Sequence, residues 1–193
     1  MSVLEVFSDY ACPFCWIGEQ SVRALQVKHP TLEIRHRAFE LRPEPAPLIG
    51  PPREYVEMTW VNSIVPMASK FNLLMRIPKA KVRTRVAHEA AAWARSHGKF
   101  DAMHDAIFRS YFEDAGDISQ LDLLATLATK IGLNADDLRN SLTTHPYLDE
   151  VLTDEKQAHE YGLSGVPAFI WNGHGLVGVQ SDKSLERLIE KTA

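Results

Sequence analysis

The sequence has only two cysteines among its 193 residues, and they lie three positions apart, at Cys12 and Cys15. This scarcity excludes the disulfide framework of small secreted domains, which needs several spaced cysteines. It also argues against a structural zinc site, because tetrahedral zinc needs four ligands and a second Cys-x-x-Cys pair is missing. We therefore expect no bound metal, and the cysteine pair points to other chemistry.

Long apolar runs and clustered charges are also missing. The sequence has no run of about 18 apolar residues, so no transmembrane helix is predicted. The formal net charge is -4 and no basic block stands out, which makes nucleic acid and membranes unexpected partners. The chain begins MSVLE, without the basic and apolar segments of a secretory signal, so we expect a full-length chain to stay in the cytoplasm.

The first part of the chain contains a β-α-β pattern. Residues 3–8 are largely apolar, with β-branched and aromatic side chains, which predicts a buried strand. Residues 14–27 have helical periodicity and end at His29-Pro30, and residues 31–39 alternate as a strand does. Two such strands, joined by one helix, are expected to be parallel.

The middle of the chain is predicted to be helical. Residues 42–52 are rich in proline and form a stiff connector, and residues 53–161 show no convincing strand. The predicted helices cover residues 79–97 and 99–112, a segment capped by Ser119 and stopped by Gly132, a short segment capped by Asn134, and a segment that Pro146 opens and that runs to residue 160.

Strand character returns near the end of the chain. Residues 168–171 and 176–179 predict a β-hairpin whose turn is residues 172–175, and Ser181 or Asp182 caps a final helix. The sum is an α/β fold with the order β-α-β … β-β-α. Residues 1–45 and 151–193 form a discontinuous α/β domain, and residues 46–150 form an inserted helical domain.

The cysteine pair falls at the start of the first predicted helix. Cys12 is expected at the N-cap, where free backbone N–H groups and the helix dipole favour a thiolate, and Pro13 is well suited to the first turn. Cys15 lies one turn later on the same side, so its sulfur can reach that of Cys12. A nucleophilic thiolate and a second thiol that resolves a mixed disulfide are the requirements of thiol–disulfide exchange.

Two other interpretations of the pair stay open. Cysteine is among the most buried residue types, so both thiols could be structural core residues. Histidines or a second chain could also complete a zinc site. The protein would then be a non-enzymatic binder, either a zinc-bridged dimer or, without the metal, a redox-gated chaperone.

The segment Gly165-Val166-Pro167 directly precedes the predicted strand at Ala168. Proline is tolerated at the start of a strand because it need not donate to the ladder, and this alone explains its position. A functional interpretation is a cis Val166–Pro167 bond packed against the two sulfurs. It would expose the Val166 backbone for strand-like pairing with a substrate peptide.

Three stretches of the chain resemble the DsbA-type thioredoxin superfamily, and most of all its cytosolic FrnE-like branch. They are residues 9–18 (DYACPFCWIG), residues 39–43 (FELRP) and residues 164–169 (SGVPAF). The resemblance covers nearly the whole chain and keeps its order of elements. It implies a thioredoxin fold with a DsbA-like all-helical insertion.

The resemblance also implies roles for individual residues. Cys12 would be the attacking cysteine, Cys15 the resolving cysteine and Pro167 the cis-proline. Four residues would contact the substrate, a thiol or disulfide of a protein or a small molecule: Pro13, Phe14, Val166 and Pro167. No resident cofactor is implied, and glutathione is the candidate co-substrate. The assembly would be a monomer or a homodimer.

Related families provide the main alternative function. They are 2-hydroxychromene-2-carboxylate isomerases and kappa-class glutathione transferases, which typically carry serine at the position of Cys12. Because this chain keeps both cysteines, redox exchange is favoured over a glutathione-dependent isomerase or transferase acting on a small aromatic or polyketide-like molecule. Asp9 and Glu40 are candidates for shuttling a proton to the resolving thiol.

Overall fold

The fold is organised around a four-stranded sheet with the strand order β2-β1-β3-β4. The computed structural model describes residues 2–48, 51–79 and 81–191. The strands are β1 (Val3–Ser8), β2 (Glu33–Ala38), β3 (Ala168–Trp171) and β4 (His174–Val177). β1 pairs in parallel with β2 and antiparallel with β3, and β3 pairs antiparallel with β4. The predicted α/β fold and its order of elements are confirmed.

The chain divides into two units. The α/β unit consists of residues Met1–Leu41 and Asp154–Ala193, and the helical unit consists of Arg42–Thr153. The sequence-based expectation placed these boundaries after residues 45 and 150. The sheet and both cysteines belong to the α/β unit.

The central strand β1 is buried on both faces, as its apolar sequence predicts. On one face Leu4 and Val6 pack with Val22 and Leu25 of α1, which spans Pro13–Lys28. Two leucines of the final helix, α9 (Asp182–Ile189), complete this cluster; they are Leu185 and Leu188. On the other face Phe7 packs with Ala158, Ala168 and Ile170. This packing therefore holds α1 against the sheet.

The hairpin turn is tighter than the sequence predicts. Asn172 and Gly173 form a two-residue turn with φ angles of 48° and 77°, which suits a type I′ hairpin. Trp171 pairs with His174, so His174 and Gly175 belong to β4 and the predicted four-residue turn is wrong. Ser181 caps α9 by accepting from the Ser184 backbone N–H, as predicted.

Among its described residues, the helical unit contains helices and no strand, as the sequence indicates. They are α2 (Arg53–Thr59), a π-helical turn (Trp60–Ile64), α3 (Val65–Ser69), α4 (Arg85–Ser96), α5 (Phe100–Phe112), α6 (Leu121–Lys130), α7 (Ala135–Thr144) and α8 (Leu148–Glu160), whose last part belongs to the α/β unit. Among the described residues, none of the helices has the length and apolarity needed to cross a membrane.

Three predicted helix starts in this unit are wrong. The helix predicted from residue 79 begins at Arg85. Residue 80 lies outside the described residues, and residues 81–84 are not helical; there the Arg83 guanidinium donates to the Arg42 and Ala46 carbonyls. Ser119 does not cap α6, because its hydroxyl and backbone N–H both donate to Asp117. Residues 146–147 form a turn, and α8 starts at Leu148.

Candidate active site

Cys12 lies at the N-cap of α1, as predicted. Its backbone is extended (φ -94°, ψ 113°), and Pro13 occupies the first turn of the helix. The Cys12 N–H donates to the Asp9 carbonyl at 3.0 Å, and the Cys15 N–H donates to the Cys12 carbonyl at 3.1 Å. The first turn contains no acidic side chain. The positive end of the helix dipole therefore acts on the Cys12 sulfur without an opposing carboxylate in that turn.

A segment from the other end of the chain meets the Cys12 sulfur. The Cys12 thiol donates to the Val166 carbonyl across 3.5 Å. Val166 is joined to Pro167 by a cis peptide bond, and the Pro167 carbonyl accepts from the Gly178 N–H at 2.8 Å. The fold thus brings two of the predicted site segments together, although they are far apart in the sequence.

Cys15 is more deeply enclosed than Cys12, at 2% exposed against 5%, and both are free thiols. Burial raises the pKa of the Cys15 thiol well above its ordinary value, and the hydrogen bond and charge of Cys12 raise it further. The Asp9 N–H, which donates to Cys15 Sγ at 3.5 Å, acts in the opposite direction on this pKa. At neutral pH Cys15 is therefore a protonated thiol.

Asp9 holds the loop that leads to Cys12. It is 1% exposed, and its carboxylate accepts from the Ala11 N–H at 3.0 Å and from the Leu41 N–H at 2.6 Å. These bonds tie the loop to the segment that follows β2. Asp9 contacts Cys15 through its backbone, and Glu40 is also buried. The proposed proton shuttle through either residue stays a prediction.

Gly18 is a site residue that the sequence reasoning missed. It lies in α1, one turn beyond Cys15, and a Cβ atom there would lie 3.2 Å from Pro167 Cγ. The available signal was a glycine in the interior of a helix, which is unfavourable for the helix and usually has a packing reason.

The remaining predicted residues lie beside this centre. Pro13 and Phe14 are partly exposed in the first turn of α1, Val166 is partly exposed, and Pro167 is buried. The Cys12 sulfur thus contacts both Cys15 and the Val166 carbonyl, and Pro167 lies against α1. Chemically, the arrangement offers one thiol at a helix N-terminus and a second, buried thiol within its reach.

Known proteins share this architecture. A family model described as "DSBA-like thioredoxin domain" matches residues 3–190. The chain is 29% identical over 190 residues to the uncharacterized protein YwbO of Bacillus subtilis (strain 168), covering 96% of this chain and 94% of that protein.

Two solved structures are similar over nearly their whole length. The probable DsbA oxidoreductase SCO1869 from Streptomyces coelicolor is 26% identical with a TM-score of 0.84, and the alignment covers 100% of this chain and 92% of that one. A 2-hydroxychromene-2-carboxylate isomerase is 16% identical with a TM-score of 0.78, covering 96% of this chain and 92% of that one. At this lower identity the second likeness concerns the fold alone.

Proposed function

This chain belongs to the DsbA-like thioredoxin-domain family, and from that membership we propose that it is a thiol–disulfide oxidoreductase that uses Cys12 and Cys15. The observation that carries the proposal is the placement of two free thiols at the start of α1. Cys12 is at the N-cap and Cys15 is hydrogen-bonded to it one turn later. Two buried cysteines with only a structural role would not need to lie at the start of a helix.

In the reducing direction the reaction has two balanced steps. The Cys12 thiolate attacks one sulfur of a substrate disulfide, so a Cys12–substrate disulfide forms and the other substrate sulfur leaves as a thiolate that takes up a proton. Cys15 then loses its proton and attacks the Cys12 sulfur, which forms the Cys12–Cys15 disulfide and releases the second substrate thiol. The substrate gains two electrons and the protein loses two; the reverse sequence oxidises a dithiol.

The different surroundings of the two sulfurs support this division of roles. The helix N-terminus stabilises a negative charge on Cys12, whereas burial keeps Cys15 protonated until the mixed disulfide has formed. A protonated Cys15 does not compete as a nucleophile for the incoming disulfide.

The substrate contacts are also part of the proposal. Pro13 and Phe14 are partly exposed next to Cys12 and would contact the groups that flank the substrate sulfur. The Cys12 thiol donates to the Val166 carbonyl, so the Val166 backbone lies beside the sulfur that would react with the substrate. An extended substrate segment would pair with this backbone. We place the reaction in the cytoplasm, with glutathione as the candidate co-substrate.

The equilibrium between dithiol and disulfide tests this function. The protein is incubated in buffers with different ratios of reduced to oxidised glutathione. The reaction is quenched by alkylation, and the mass of the protein is measured by mass spectrometry. A two-electron transition between dithiol and intramolecular disulfide is expected in the wild type and in a Ser21→Ala control, which changes a buried residue of the same helix. Cys15→Ser should accumulate mixed disulfides, and Cys12→Ser should form none. If no glutathione ratio produces an intramolecular disulfide, the proposal is refuted.

A second candidate is a glutathione-dependent isomerase. The 0.78 TM-score with a 2-hydroxychromene-2-carboxylate isomerase favours testing it, although that likeness concerns the fold. In this case Cys15 would be dispensable. Unchanged turnover of a small aromatic substrate by Cys15→Ala, together with glutathione binding in calorimetry, would favour the isomerase over the oxidoreductase.

A further inference from the structure

Gly18 lies where the ring of Pro167 meets helix α1. A Cβ atom at residue 18 would lie 3.2 Å from Pro167 Cγ and 3.7 Å from Pro167 Cβ. Optimal carbon–carbon contacts are about 3.5–4.0 Å, so the first distance is too short for an unstrained contact with a rigid ring. Only glycine allows the ring to lie this close to the helix without a shift of a few tenths of an ångström.

The position of Pro167 determines the position of the preceding carbonyl. Val166 and Pro167 share a peptide unit, and the Val166 carbonyl in that unit accepts from the Cys12 thiol. On its other side the segment is held by the Gly178 N–H, which donates to the Pro167 carbonyl at 2.8 Å. The segment is therefore fixed between the end of β4 and the face of α1 at Gly18.

We infer that Gly18 is a positioning residue for Cys12: the missing side chain lets Pro167 lie against α1 and thereby holds the Val166 carbonyl within hydrogen-bond distance of the Cys12 thiol. The inference deepens the proposed function and rests on it for its meaning in disulfide exchange. Gly18 touches neither sulfur and acts through Pro167 and Val166.

The contact has a definite chemical consequence. A carbonyl that accepts from a thiol stabilises the protonated form, and its partly negative oxygen opposes the thiolate. The N-terminus of α1 acts on the same sulfur in the opposite sense. The distance between Val166 O and Cys12 Sγ therefore affects the reactivity of the Cys12 thiol. A side chain at residue 18 pushes Pro167 away from α1 and weakens the restraint by the carbonyl.

The test compares Gly18→Ala with its parent in a Cys15→Ala background, so that Cys12 is the only thiol. The rate of Cys12 alkylation by iodoacetamide is measured as a function of pH. In Gly18→Ala this rate is expected to be about threefold higher at neutral pH, because the carbonyl restrains the Cys12 thiol less. The infrared S–H stretching band is expected to move toward the frequency of a free thiol.

Gly165→Ala is the matched control. It makes the same chemical change directly before Val166, but a Cβ atom there meets nothing within 4 Å and its φ lies outside the left-handed region. Its alkylation rate and S–H band should equal those of the parent. An unchanged alkylation rate in Gly18→Ala, or an equal change in both variants, overturns the inference.

The S–H band of the parent protein provides a second test that does not depend on how Gly18→Ala folds. A band at the frequency of a free thiol in the parent, which retains Gly18, also overturns the inference. None of these measurements requires disulfide exchange. If the wild type fails to form the Cys12–Cys15 disulfide, the proposed function falls while the role of Gly18 in placing Val166 is still decided by alkylation.

Discussion

The backbone N–H of Asp9 donates to Cys15 Sγ across 3.5 Å. Asp9, three positions before Cys12, is therefore hydrogen-bonded to the sulfur of the second cysteine. The carboxylate of Asp9 raises the pKa of Cys15 by its charge, whereas the N–H lowers it. The two groups of one residue therefore have opposite effects on the same thiol. A change of the side chain to asparagine removes the effect of the carboxylate and keeps that of the N–H.

Asp9→Asn is expected to lower the pKa of Cys15, because it removes a negative charge next to the sulfur and keeps the backbone N–H. It also replaces one of two buried acceptors with an NH₂ group, which should cost about 1–3 kcal/mol of unfolding free energy. Cys15 alkylation against pH in a Cys12→Ala background measures the first effect, and urea unfolding measures the second. Asp101→Asn, an exposed change of the same charge in α5, is the control. Identical behaviour of the two variants would contradict the expectation.

The stability of the reduced protein should fall in alkaline solution because of Cys15. Its pKa is raised in the folded state, so the folded state binds the proton more tightly than the unfolded state does. The stabilisation is complete below the unfolded thiol pKa of about 8.5 and is lost as the pH rises above it, by up to about 1.4 kcal/mol per pH unit. Urea unfolding with a phosphine reductant between pH 7 and 10 measures this loss. Cys15→Ala should lack the Cys15 part of the slope, and equal slopes in both proteins would rule the explanation out.

Arg37→Met should be strongly destabilising. Arg37 on β2 donates to Glu5 on β1 and to Asp154 on α8 at 2.6–2.9 Å, and all three side chains are at most 13% exposed. Removing the cation leaves two buried carboxylates without it, which should cost about 3–5 kcal/mol of unfolding free energy.

Arg53→Met serves as the control for this network. The Arg53–Glu57 pair has a similar distance of 2.7 Å, but the arginine side chain is 90% exposed. Its loss should change the unfolding free energy by less than about 1 kcal/mol. Comparable losses in the two variants, measured by chemical denaturation, would show that burial does not decide the strength of these pairs.

Asn134→Ala should destabilise α7 by about 1 kcal/mol. The Asn134 side chain accepts from the Asp136 and Asp137 N–H groups at 2.8 and 3.3 Å, so its removal leaves two donors of the first turn without this acceptor. Gln120→Ala is the matched change at the N-cap of α6, where the side chain makes no capping bond. It should cost clearly less in thermal or urea unfolding; a ranking in the reverse order would count against the assigned caps.

The sequence was most informative where local rules decide the structure. The β-α-β and β-β-α halves, the N-cap position of Cys12 and the cap at Asn134 all follow from periodicity and from residues within a few positions of one another. The helix start predicted at residue 79 failed where a distant partner intervened. The Arg83 guanidinium binds carbonyls of the proline-rich connector, and no local pattern near residue 79 indicates this.

The site was predictable in its residues but not in its contacts. The spacing of Cys12 and Cys15 and the Gly165-Val166-Pro167 segment could be selected from sequence. That the Cys12 thiol donates to Val166, and that Pro167 lies against Gly18, depends on how β3 is placed next to β1. Such contacts between the two ends of the chain have no local signature, because they are set by strand pairing and packing of the whole unit.

The division of the α/β unit between the two ends of the chain has a consequence during protein synthesis. When the ribosome has made the cysteines and β2, the strand that completes the sheet on the other side of β1 is still more than one hundred residues away. The nascent thiols therefore emerge early, without Val166 as an acceptor and without β3 beside β1. Closing such long-range contacts is intrinsically slow. The two cysteines are consequently most open to oxidation by other molecules until residues 166–171 have been made and have packed beside them.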